Sequence, residues 1–168
     1  MRMSRIWRTS FAVVIVTLIG IGGMGLVSSP PAEAANGNIV GAWYVDTVGA
    51  PFEPHGMVFH NDGTLVLTNP DAAEATNSSS AGMGVWAFGA KATARGRFFE
   101  VNADKSANEF TTILVVTFEF TVTGDTFSGP ASASYFDGDR HLVAGPFPAT
   151  LKGQRFTVDG PIPDPIAP

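Results

Sequence analysis

Residues Phe110 to Thr123, FTTILVVTFEFTVT, alternate with a period of two over fourteen positions. One face of the run carries Phe110, Thr112, Leu114, Val116, Phe118, Phe120 and Val122. The other carries Thr111, Ile113, Val115, Thr117, Glu119, Thr121 and Thr123. β-Branched and aromatic residues in this order suit a pleated strand with one buried face and do not suit a helix. Gly124-Asp125 then turns the chain, and Thr126 to Phe136 reads as the antiparallel partner. Its Gly129, Ala131 and Ala133 stand opposite large Phe and Val, the pairing that a tight barrel interior needs.

The same pattern repeats elsewhere. Strands are expected over 39–47, 56–60, 64–68, 83–90, 95–103 and 141–151, with 155–158 closing the series. Asn61-Asp62-Gly63 is a strong hairpin signal, because Asn, Asp and Gly tolerate positive φ. Asp137-Gly138-Asp139 marks another turn, and the small, polar stretch 69–81 reads as a loop. Eight or nine strands at short, regular spacing with no useful helix predict an all-β fold. An antiparallel up-and-down barrel comes first and a β-sandwich second. Closure into a barrel would also remove the edge strands that an exported sheet has to protect.

Three segments divide the chain: a secretory signal peptide over 1–34, a barrel domain over 35–160 and a proline-rich tail over 161–168. Met1 to Ser10 hold three Arg and no acid. Phe11 to Val27 is apolar, helix-breaking Ser-Ser-Pro-Pro follows, and Ala32-Glu33-Ala34 offers a small-x-small site for cleavage before Ala35. The rival reading is an uncleaved anchor, but the run is short for a span of roughly 20 residues and carries four glycines. The signal peptide makes the product secreted or periplasmic and confines membrane contact to export.

Losing the leader's three arginines and one glutamate moves the formal net charge from -5 to about -7. An acidic domain with scattered Lys and Arg is a poor partner for nucleic acid, which is excluded. Cysteine is absent from the sequence, which removes disulfides, thiolate metal sites and cysteine nucleophiles, and favours a bacterial setting for an exported domain.

Two triplets carry a resemblance. Gly41-Ala42-Trp43 lies on the first expected strand and Gly84-Val85-Trp86 on the fourth, with Phe59-His60-Asn61-Asp62-Gly63-Thr64 between them. Gly-x-Trp on a first strand resembles the signature of lipocalins and other calycin-type barrels, in which the Trp packs across the closed end. The order Gly-x-Trp, Asp-Gly-Thr, Gly-x-Trp is also similar to that of small exported bacterial proteins without a settled function. What the resemblance implies is a calycin-like barrel with an internal cavity. The N-terminal helix and the cysteines of lipocalins are missing here.

Residues that bear chemistry are few. His55, His60 and His141 are the only histidines, and all three read as solvated turn residues. Their spacing matches no zinc motif, so no metal and no cofactor is expected. Glu119 alternates with threonines on the face opposite the Phe stripe and is expected to meet water. Were the faces inverted, it would become a buried general base. Glu100 shares its side with Phe98. Nucleophile-elbow, dinucleotide and phosphate-loop patterns are absent. The set Trp43, Tyr44, Phe59, Trp86, Phe88, Phe118 and Phe120 either fills the core or lines a pocket for a small hydrophobic molecule.

Three functions follow from this reading. The first is an exported barrel that binds a small hydrophobic ligand. The second is a cyclase or isomerase with one acid or base in an apolar cavity, drawn from Glu119, His60 or Tyr44. The third is a surface-interaction protein with no cavity. An ionisable group inside an open barrel would separate the second from the others.

Overall fold

The computed structural model describes residues 38–49, 54–68, 76–90 and 92–161. The expected leader, the start of the barrel domain and most of the tail lie outside the described residues. Nine strands follow one another: β1 (Gly41–Val48), β2 (His55–Phe59), β3 (Thr64–Thr68), β4 (Asn77–Ser79), β5 (Gly82–Phe88), β6 (Thr93–Asp104), β7 (Glu109–Thr123), β8 (Thr126–Phe136) and β9 (Leu142–Arg155). No helix occurs among the described residues. All pairings are antiparallel, and β1 joins β9 while β6 joins β7, so eight strands close into a meander barrel with one extra strand.

The extra strand continues another. β7 runs along one edge of β6 from Thr93 to Asp104, so β4 and β5 must share the other edge. Asn77–Ser79 pairs with 102–104 and Met83–Phe88 with 94–99, offset by one residue. Between them Ser80 holds Val101 twice: its amide donates to the Val101 carbonyl, and its hydroxyl accepts from the Val101 amide. β4 and β5 are thus one strand interrupted by a bulge. The expected loop over 69–81 therefore ends early, because a serine side chain can stand in for a missing ladder partner.

A second correction concerns the end of the chain. The strand expected over 141–151 runs on to Arg155 as Leu142–Arg155, since Gly153 and its neighbours pair without a break with both β1 and β8, and the separate strand expected over 155–158 does not form, residues 156–158 lying outside any strand.

Inward side chains fill half of the barrel. Trp43, Val45, Met57, Phe59, Leu65, Leu67, Trp86, Phe98, Phe118, Phe120, Phe127 and Leu151 are all buried, as period-two alternation on each strand requires. Phe59 sits at the centre, with edge-on ring contacts to Trp86, Phe118, Phe120 and Phe127 at centroid distances of 5.8 to 6.4 Å. Phe120 stacks on Phe127 at 4.2 Å. Bending a sheet this tightly brings neighbouring strands into contact at glycine. A Cβ on Gly129 would lie 2.3 Å from the Glu119 carbonyl oxygen, and one on Gly84 would lie 2.2 Å from that of Arg97.

Candidate functional site

The two ends of the barrel are built differently. At one end lie the turns β2–β3, β5–β6 and β7–β8 together with residues 38–40 and 156–161. Trp43 closes this end. Its indole N–H donates to the Ile39 carbonyl, and the Arg155 guanidinium lies over its ring at 4.3 Å. Arg155 also donates to the carbonyls of Val40 and Asn38 and to the Asp125 carboxylate. A single arginine on the last strand thereby ties the entry segment and the β7–β8 turn across the first strand. Trp86 donates to the His60 and Thr64 carbonyls and anchors the β2–β3 hairpin in the same way.

At the other end the wall is uneven. β1, β2 and β3 are eight, five and five residues long, whereas β6 to β9 run from 11 to 15. β1 reaches only Thr150 of β9, so the stretch of β9 before it rises above its neighbour. The tall wall keeps its inward stripe beyond the packed core: Leu114 and Val116 on β7, Ala133 and Tyr135 on β8, Phe147 and Ala149 on β9. Tyr135 and Phe147 face each other with ring centroids 6.3 Å apart. Phe147 shares a face with the buried Ala131 and Leu151, yet 51% of its surface is open. An apolar shelf therefore stands at the mouth above a floor of buried aromatics, with Val116 and Ala149 packed against the core and Phe147 exposed.

Polar groups meet this shelf along β6. Glu100 belongs to the inward stripe of Ala94 and Phe98 and is 4% exposed. Two residues on, the Asn102 side chain donates to the Thr112 hydroxyl and accepts from that of Ser79, both at the rim. His55, first residue of β2, is also buried on an inward position beside Met57. Its expected place in a solvated turn is thereby corrected: β2 starts one residue early, and the alternation that buries Met57 and Phe59 carries His55 inward too. Asp46 is the third buried ionisable side chain, on β1 opposite Lys152. All three have interactions within the chain.

The residues singled out from sequence fall into separate places. Trp43, Phe59, Trp86, Phe118 and Phe120 belong to the packed core, the first of the two roles open to them. Tyr44 is half-buried on the outer face, and Phe88 is exposed with its ring against Trp86. Glu119 is exposed on the outer face, as its stripe predicts, and His60 and His141 are exposed at turns. None of Glu119, His60 and Tyr44 reaches the interior. Glu100 does, and its signal lay in the period: it stands two residues from Phe98 and six from Ala94, both apolar.

The shifted carboxyl groups are structural. The Thr64 hydroxyl and amide hold Asp62 below the ordinary carboxylate range. The Ser106 hydroxyl, with the Ala107 and Ser106 amides, does so for Asp104, and the His141 amide for Asp137. Each pins a turn rather than a site. Among the described residues no three His, Asp or Glu side chains converge as metal ligands. No protein-family model, curated protein or solved structure matches this chain.

Proposed function

We propose that the chain is an exported barrel protein that holds a small, largely hydrophobic molecule at its open end. The observation that carries this reading is Phe147: an aromatic side chain on the core-facing stripe, paired with Tyr135, half of it bare above a filled floor. Apolar surface on a concave wall is the usual lining of a small-molecule site, and a few polar groups set the ligand's orientation. Leu114, Val116, Tyr135 and Phe147 supply the apolar wall. Asn102, Thr112 and the buried Glu100 supply the polar edge. The filled half of the barrel limits the ligand to the mouth.

The test is native mass spectrometry of the protein after incubation with hydrophobic extracts, followed by titration of whatever is retained. Phe147→Ala should weaken binding roughly fivefold to tenfold, the equivalent of about 1 kcal/mol. Repeated failure to retain any molecule would leave the surface-interaction reading in its place.

One observation favours a second reading. Glu100 is a carboxyl group inside the barrel next to the mouth, where a cyclase or isomerase would need its acid or base. Glu100→Gln separates the two. A binding protein retains its ligand with altered affinity, whereas an enzyme binds and no longer converts it.

A further inference from the structure

The inward face changes character along one strand. On β6 it reads Ala94, Gly96 and Phe98 from the closed end, then Glu100, Asn102 and Asp104 at the mouth. Asn102 is held between the Ser79 and Thr112 hydroxyls. The Ser106 hydroxyl and the Ser106 and Ala107 amides donate to Asp104 and favour its carboxylate form. Glu109 of β7 stands opposite Asp104. Glu100 is buried and has interactions of its own within the chain.

Across the mouth the wall is apolar. Strand pairing puts Glu100, Leu114 and Tyr135 in one row, and Phe98, Val116, Ala133 and Phe147 in the row beneath. Neighbouring strands lie about 4.8 Å apart, so β6 and β9 are separated by about 14 Å along the wall. A molecule lying across the strands therefore meets a carboxyl group at its β6 end and the rings of Tyr135 and Phe147 at the other. The cations of the adjoining turns, Lys105 and Arg140, are both exposed.

We propose that the molecule held at the mouth is a cationic amphiphile, a primary amine on an apolar body. Its ammonium lies at Glu100, within the field of Asp104 and Glu109, and its body runs along Leu114, Tyr135 and Phe147. This inference rests on the mouth being the binding site and adds the class of head group. A carboxyl group accepts hydrogen bonds whether or not it is ionised, and an ammonium donates them without accepting any. Beside a buried carboxyl group the low dielectric strengthens attraction for a cation and repulsion of an anion alike. A fatty acid would set its own carboxylate against Asp104, Glu109 and a chain of net charge -5.

Calorimetric titration of the purified protein at neutral pH with decylamine, decanol and decanoate, each below its micellar concentration, tests the assignment. The three probes share one chain and differ in head-group charge. Decylamine should bind roughly tenfold tighter than decanol, and decanoate should bind weakest. Added salt should narrow the spread. Glu100→Gln, which is nearly isosteric, should bring decylamine close to decanol, whereas Phe147→Ala should weaken all three alike. Circular dichroism melts check that both variants fold; where Glu100→Gln does not, the ranking and salt dependence of the unaltered protein decide. Decanol or decanoate binding as tightly as decylamine overturns the cationic head group and leaves the mouth as a binding site. A ranking that folded Glu100→Gln leaves unchanged does the same. Failure of all three to bind, or binding indifferent to Phe147→Ala, overturns the mouth itself as the site and this proposal with it.

Discussion

Replacing Arg155 with methionine tests how the closed end is held. The side chain is 21% exposed and makes four kinds of contact. Its bond to the Val40 carbonyl lies in a partly buried setting, where a charged hydrogen bond contributes about 1.5–3 kcal/mol. The bond to the Asn38 carbonyl is exposed, and water replaces it at little cost. Stacking over Trp43 adds about 0.5–2 kcal/mol. The ion pair with Asp125, whose side chain is 68% exposed, adds at most about 1 kcal/mol because solvent screens it. Methionine keeps the aliphatic stem, so little packing is lost. Arg155→Met should therefore cost about 2–6 kcal/mol, and Asp125→Asn about 1 kcal/mol or less. Urea unfolding followed by tryptophan fluorescence reads both. With a slope of about 1–3 kcal/mol/M, the Met variant should shift the midpoint by one to several molar. A loss no larger than that of Asp125→Asn would refute the view that this arginine bridges first strand, entry segment and turn.

Trp43→Ala should cost about 3–5 kcal/mol, as for any large buried aromatic, and a near-neutral melt would show that Trp43 is no plug. Gly129→Ala should lose about 1–3 kcal/mol, because the new methyl has backbone rather than a flexible side chain in its way. A stability gain there would mean that the β7–β8 approach relaxes freely. In acid, the depressed carboxyls of Asp62, Asp104 and Asp137 favour the folded state above the ordinary carboxylate pKa of about 4. That contribution is lost as the pH falls through their lower folded values. Stability should therefore decline below about pH 4, and Asp62→Asn should flatten part of the decline in a pH series of thermal melts.

Strand content was legible because alternation is a local property. Residues i and i+2 must share a face whatever the rest of the chain does. The stripes of 110–122 and 127–133 thus announced both strands and their inward sides before any partner was known, and Glu119 was correctly read as outward. Glu100 and His55 were readable in principle from the stripes of their own strands, β6 and β2. The difficulty is that a charged or titratable residue on an apolar stripe can mark either a register change or a buried group, and periodicity does not separate these.

Three features depended on tertiary structure. The bulge at Ser80 is decided by whether Val101 lies within reach, which is a matter of pairing between strands rather than of either strand's composition. Which inward aromatics are covered is decided by strand length on opposite sides of one ring. Phe59 and Phe120 lie where all eight walls stand, so their surfaces are covered, while Phe147 lies where β1 has already ended. The apolar patch outside arises because Val66, Met83 and Phe99, on separate strands, are brought into register. Sequence order thus determines which way each side chain faces, and closure determines what it faces.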